Sequence, residues 1–213
     1  MTELTPRQLK AQETKKNLLE KGLELFHERG FDNVTVESIA KACNVSKGAF
    51  YVHFTSKYDV FLEKFKDIDE FYLSFIPSIP ADLKASEKIL LFYKGQMTYL
   101  RDILGKDFIH TIYTSALALT INDDHYLTDQ NRQLYQIIRS YVEEGVERRE
   151  FKRELSVDEI SMLVTRCMRG TIYDWIIFRE RLDPVVEIHS MTSVVLDGLK
   201  CDSDSEFDSI KRV

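Results

Sequence analysis

Apolar residues recur at helical spacing along nearly the whole chain. Between about residues 7 and 29, Leu18, Leu19, Leu23, Leu25 and Phe26 fall on one side of a 3.6-residue period. Gly30 follows where a helix needs a left-handed end. Thr35 is placed to cap a short helix over 36–43, with Ile39 and Ala40 facing inward. Asn44 is a turn residue, since Asn tolerates positive φ better than most side chains. Ser46 caps a second short helix through His53 and Phe54, and Ser56 begins a longer one that Pro77 and Pro80 end near Phe75. Further helices are predicted over 86–104, 106–119, 128–149, 156–179 and 184–199, the last with Pro184 in its first turn. The pattern predicts an all-α chain of about nine helices without a convincing strand. A disordered tail is expected over 201–213, rich in Asp and Ser.

The last two helices are apolar on more than one side. Over 156–179, Ile160, Leu163, Val164, Cys167, Thr171 and Trp175 form a stripe that Met168, Ile172, Ile176 and Ile177 widen. Over 184–199, Val185, Val186, Ile188, Met191, Val194, Val195, Leu196 and Leu199 do the same. Such helices must be covered on several sides, by the chain's own core or by a second copy. Taking the second copy, the expected dimer face is Ile172, Ile176, Val185, Ile188, Thr192, Val195 and Leu199.

Charge changes the picture only when divided. The net charge is −6, yet residues 1–66 carry eleven Lys or Arg against nine Asp or Glu, leaving −8 for the remainder. A small module that meets phosphate and a larger body that does not would have this asymmetry. The 213 residues and 44% hydrophobic content allow a sizeable core. No stretch reaches the roughly 18 apolar residues that suggest a membrane span, and the N-terminus has no signal-peptide pattern. Cys43, Cys167 and Cys201 suit neither a disulfide framework nor a zinc site, so a cytoplasmic chain without cofactor or metal is expected.

Residues 35–57, TVESIAKACNVSKGAFYVHFTSK, hold the most specific signal. Two short capped helices joined by a tight turn fit a helix-turn-helix, whose second helix enters the major groove of DNA. Val45, Phe50 and Phe54 should be buried. Ser46, Lys47, Ala49, Val52 and His53 should face outward, and Gly48 should let the backbone approach DNA closely. Thr35 and Ser46 hydroxyls can donate to phosphate, Lys47 can reach a base edge or a phosphate, and Tyr51, His53 and Lys57 supply further donors.

These residues carry a family resemblance. Gly30-Phe31, Thr35-Val36, Ile39-Ala40, Val45-Ser46, Gly48, Tyr51, His53-Phe54 and Ser56-Lys57 are similar to the N-terminal signature of the TetR family of transcriptional regulators. The turn departs from the family's usual Ala-Gly-Val, reading Cys43-Asn44-Val45. The resemblance implies a DNA-binding domain over 1–55 and a larger ligand-binding and dimerisation domain over 56–200. It implies a repressor that binds a two-fold symmetric DNA operator as a homodimer and is released by a small-molecule effector. The effector site is expected among Phe71, Tyr93, Met97, Tyr113, Leu117, Tyr135, Arg166 and Trp175, for an apolar or amphipathic molecule, with core packing as the alternative. Arg166, Arg169 and Asp174 would make polar contacts there or an ion pair between subunits.

Two other classes compete. A helical adaptor would explain an apolar dimer face but leave 35–57 unaccounted for. A helical-bundle metalloenzyme needs paired Glu-x-x-His motifs. The chain has one, Glu24-x-x-His27, loosely echoed by Asp107-x-x-His110, and no nucleophile, zinc-protease or nucleotide fingerprint.

Overall fold

Side-chain caps set most helix starts in the computed structural model, which describes residues 4–118, 126–178 and 182–201. The helices are α1 (Pro6–Arg29), α2 (Val36–Ala42), α3 (Lys47–His53), α4 (Lys57–Phe65), α5 (Asp67–Phe75), α6 (Ala85–Tyr99), α7 (Lys106–Ala118), α8 (Gln133–Glu147), α9 (Val157–Ile177) and α10 (Pro184–Leu199). Among the described residues the only β pairing is one isolated bridge, Phe151 to Lys200, so the fold is all-α. No helix among them is long and apolar enough to cross a membrane. Residues 202–213, most of the expected tail, lie outside the described residues, as does the expected end of the 156–179 helix.

Thr35, Ser46, Ser56 and Ser156 each accept the N–H three residues on, satisfying a donor that a helix start leaves open. Gly30 ends α1 at φ 77°, and Asn44 takes φ 55° in the turn between α2 and α3, as its chemistry predicts.

Three boundaries differ from the sequence expectation. The helix expected over 56–75 is interrupted at Lys66, whose N–H is shared between the Leu62 and Lys64 carbonyls. That change of pattern has no Gly or Pro to announce it. The helix expected to reach residue 104 widens into a π-helical turn over Leu100–Leu104. α8 begins at Gln133 instead of near 128, because the Asp129 carboxylate takes the Asn131 N–H at 2.9 Å and holds a turn there.

The chain divides into two compact units. One comprises the chain up to Ile68 and the segment beginning at Thr111; the other is formed by Asp69–His110 and the segment beginning at Ile121. In the first, Leu18, Ile39, Phe50 and Val60 are fully buried. Phe26, Phe31 and Phe61 meet at ring separations of 4.6–5.1 Å, closing α1 and α4 around the loop before α2.

In the second unit, α6 supplies Ile89, Phe92, Tyr93 and Met97 to a core completed by Ile138, Val142, Val164, Ile172, Ile188 and Leu196. The Glu150 carboxylate takes the Ala85 and Ser86 N–H groups at 2.7 and 3.0 Å, capping α6 from the turn after α8. Lys88 of α6 pairs with Glu144 of α8 at 2.7 Å. The α6–α8 register is therefore fixed by charge as well as packing.

Candidate nucleic-acid interface and ligand cavities

α3 is mounted on two aromatic anchors. Phe50 and Phe54 are buried in the first unit, with Val45 half-buried before them. A helix anchored on this side must present the other. Ser46, Lys47, Gly48 and Tyr51 are exposed, Val52 is 78% exposed, and Ala49 and His53 are half-buried. The Thr35 and Ser46 oxygens each accept a backbone N–H at 3.1 Å. A hydroxyl that accepts still has its own proton to give, so both can cap a helix and donate to a phosphate together.

Gly48 has an external meaning. A Cβ built there would meet only the Ser46 Oγ, at 3.7 Å, so nothing inside the chain requires glycine. Glycine in a helix costs roughly 0.5–1 kcal/mol relative to alanine. Close approach of another molecule is a reason to accept that cost.

The two lysines of the motif differ. Lys47 is exposed, pairs with Glu37 in the first turn of α2, and lies 5.9 Å from the Tyr51 ring centre. Its hydrogen bond to Glu37 raises its affinity for a proton and holds the Glu37 carboxyl below the usual range. Lys57, expected to face phosphate, is turned inward. Its ammonium donates to the Phe31 and Val34 carbonyls at 2.7 and 2.9 Å, reaches Asp32 O at 3.4 Å, and sits 4.4 Å from the Phe31 ring centre. The loop's unpaired carbonyls converge on it and fix the entry to α2. Cys43 is buried against the Asn17 carbonyl, and burial pushes its thiol up.

The residues expected to bind a ligand are dispersed. Tyr93, Met97 and Trp175 are buried in the second unit, and Arg166 on α9 is exposed. Tyr113 and Leu117 belong to the first unit, where Leu117 is 74% exposed. Two cavities lie within the second unit. A groove of about 550 Å³ has Phe71, Phe75, Leu91, Gly95, Tyr99 and Ile103 in its walls. A cleft of about 510 Å³ runs between α8 and α9, lined by Tyr135, Gln136, Arg139, Asp158, Ser161, Met162 and Thr165. Of the expected residues, Phe71 lines the first and Tyr135 the second. Periodicity gave no means of finding Ser161 or Thr165.

The expected dimer face needs correction. Ile172, Ile176, Ile188, Thr192 and Leu199 are at most 7% exposed, because they pack into the subunit's own core, and Val185 and Val195 are half-buried. A side chain already covered has no area left for a partner. The exposed apolar side of α9 and α10 is instead Tyr173, Ile177, Val186, Met191 and Val194, with Phe178 just past α9. No ion pair joins Arg166 or Arg169 to Asp174 among the described residues. No group of three or more His, Cys, Asp or Glu side chains suited to a metal occurs among them either.

A family model described as "Bacterial regulatory proteins, tetR family" matches residues 18–63. Over 195 residues the chain is 23% identical to the HTH-type transcriptional regulator AcrR of Shigella flexneri, covering 88% of this chain and 89% of that protein. Its fold is similar to that of Thermus thermophilus FadR, a TetR-family transcriptional repressor solved in complex with lauroyl-CoA. The TM-score is 0.69 at 18% identity, over 90% of this chain and 97% of that one. The transcriptional regulator FadR from Bacillus subtilis, in complex with stearoyl-CoA, gives 0.67 at 20% identity over 86% and 98%. The family match runs from the buried Leu18 of α1 to Glu63 of α4, taking in the exposed face of α3 and the helices that support it.

Proposed function

We propose that this chain, a member of the TetR family of bacterial regulatory proteins and so a transcriptional regulator, is a cytoplasmic repressor that binds a two-fold symmetric operator as a homodimer. A small amphipathic effector releases it. The observation that carries this reading is the exposed face of α3: Ser46, Lys47, Gly48 and Tyr51 stand outward on buried Phe50 and Phe54. A short helix anchored in this way can enter a major groove, with Lys47 reaching a base edge or phosphate and Thr35, Ser46 and Tyr51 donating to the backbone.

Dimerisation has support in the uncovered apolar side of α9 and α10. Two α3 helices must then lie about 34 Å apart to engage half-sites one turn apart. An effector acts only through different affinities for dimers of different head spacing, and DNA weakens effector binding by the same factor. The acyl-CoA complexes of the two FadR proteins favour an amphipathic effector class. The work is binding, and no catalytic step is assigned.

The test is titration of the purified protein against duplexes selected genome-wide for retention, with salt and competitor varied. Saturable, competitor-resistant binding to a symmetric site supports the reading, with loss of affinity but not of the dimer in a Lys47→Ala, Tyr51→Ala double variant. An empty selection refutes it.

A further inference from the structure

Arg169 is half-buried on α9 and has no carboxylate partner among the described residues. Its guanidinium donates to the Tyr135 hydroxyl and lies 5.6 Å from that ring's centre, and the Tyr135 hydroxyl in turn donates to the Leu127 carbonyl at 2.9 Å. A guanidinium has five donors, and the protein occupies one. Other cations of the same unit are neutralised. Lys88 meets Glu144 at 2.7 Å, Arg132 meets Asp69 at 3.4 Å, and Arg139 meets both Glu143 and Asp158. A cation held out of water without its counter-ion is an exception to how partly buried charge is arranged.

Two hydroxyls nearby are also unmet. Tyr93 on α6 is fully buried, and its hydroxyl makes no hydrogen bond. The groups whose fields it feels include Thr165, Tyr135 and Arg169. Ser161 Oγ is buried and unpartnered, and Ser161 lines the cleft of about 510 Å³ between α8 and α9. Buried polar groups are nearly always paired, so two orphans beside an uncompensated cation require one explanation. Tyr135 links them, since it lines the cleft and accepts from Arg169. At the rim, Arg139 and Asp158 cancel each other, so the cleft's net positive charge comes from Arg169 alone.

We propose that the α8–α9 cleft takes an anionic small molecule whose carboxylate or phosphate oxygens close on Arg169. The Tyr93 and Ser161 hydroxyls donate to its polar atoms, and its apolar body lies along Met162 and Thr165. The cleft's volume falls within the range of small-molecule sites, which pair an apolar lining with a few convergent polar groups. The site's regulatory meaning rests on the effector reading above, but the binding does not.

Three probes with one tail and different heads test it: octanoate, octyl phosphate and octanol. Trp175 is the chain's only tryptophan and is buried on α9, so its fluorescence reports binding, with thermal shift as a second measure. At least one anion should bind about ten- to a hundredfold more tightly than octanol, the factor expected of charge-assisted hydrogen bonds. Arg169→Met should abolish that preference. Tyr93→Phe should fold as well as the parent, because it loses an unpaired hydroxyl, and should bind the anion less tightly. Should Arg169→Met not fold, Arg169→Lys retains the charge and loses the fork, and should bind the anion more weakly.

Equal binding of octanol and both anions would overturn the assignment. So would an anion preference that survives Arg169→Met, or no binding by any probe. Operator DNA separates the two levels: an Arg169-dependent anion that leaves DNA bound refutes the effector reading and keeps the site. DNA binding with no anion preference refutes the site alone.

Discussion

Lys47 and Lys57 make opposite predictions although both sit on the helix-turn-helix signature. In Lys57→Met the Phe31 and Val34 carbonyls lose donors at 2.7 and 2.9 Å, and the Phe31 ring loses a cation 4.4 Å from its centre. Hydrogen bonds from charged donors are worth about 1.5–3 kcal/mol each and an exposed cation–π contact about 0.5–1. Water can replace part of this around a half-buried ammonium, so the expected loss is about 2–3 kcal/mol. In a chain of this size that is roughly 4–12 °C in Tm. Because the ammonium faces inward, the dependence of DNA affinity on salt should not change. Lys47→Met should leave Tm alone, since Lys47 is exposed. It should lower the slope of log K against log salt by about one per protomer, one phosphate contact being lost. The assay is a pair of thermal melts and salt-titrated fluorescence anisotropy on one operator duplex. A Lys57→Met protein with unchanged Tm and a reduced salt slope would refute the inward placement.

Gly48→Ala should raise stability by roughly 0.5–1 kcal/mol, the helix preference of alanine, while weakening operator binding. Equal affinity would mean that the backbone of α3 does not come close to DNA. Glu37→Gln should tighten DNA binding a few-fold at low salt by freeing Lys47 and removing a negative charge from the DNA-facing side, and anisotropy showing no gain would dismiss that competition. The Glu37–Lys47 pair lowers the carboxyl's proton affinity, so its contribution is present above the unfolded carboxylate range and fades as pH falls through the lowered value. Operator affinity between pH 6 and 8 should therefore be insensitive to Glu37 titration. Ile177→Asp with Val194→Asp places charge on the exposed apolar side of α9 and α10 and should yield folded monomers by sedimentation, whereas a persisting dimer would move the interface elsewhere.

What could be read from sequence was what local chemistry determines. Thr35 and Ser46 cap, Asn44 takes the left-handed turn, and Phe50 and Phe54 anchor α3, because each role depends on neighbours within a few residues. The direction of Lys57 was not legible. It depends on carbonyls more than twenty residues away that the Gly30-Phe31 loop leaves unpaired. The choice of face on α9 and α10 was hidden for a different reason. A helix apolar nearly all round has no minority side to mark its orientation, so Ile172 and Ile188, in the core, look like Ile177 and Val194, which are exposed. The π-helical turn at Leu100–Leu104 and the break at Lys66 have no residue signature at all.

Coupling between effector and DNA has only covalent routes that the chain itself defines. The division into units cuts the chain inside two helices, α5 between Ile68 and Asp69 and α7 between His110 and Thr111. A continuous helix transmits rotation where a loop would absorb it. α6, which carries Tyr93, continues through the π-helical turn to Gly105 at φ 82° and then directly into α7. A π turn is strained relative to an α turn and is found disproportionately at functional sites, often as a single-residue register change. If an anion draws Tyr93 toward Arg169, α6 must shift, and relaxation of that turn would turn the start of α7. At its far end the Tyr58 hydroxyl of α4 lies 3.5 Å from the Ile112 carbonyl, so α7 leads into the helix that follows the DNA-reading motif. Allosteric coupling typically amounts to about 1–3 kcal/mol, and one change of register in a five-residue turn is of that order.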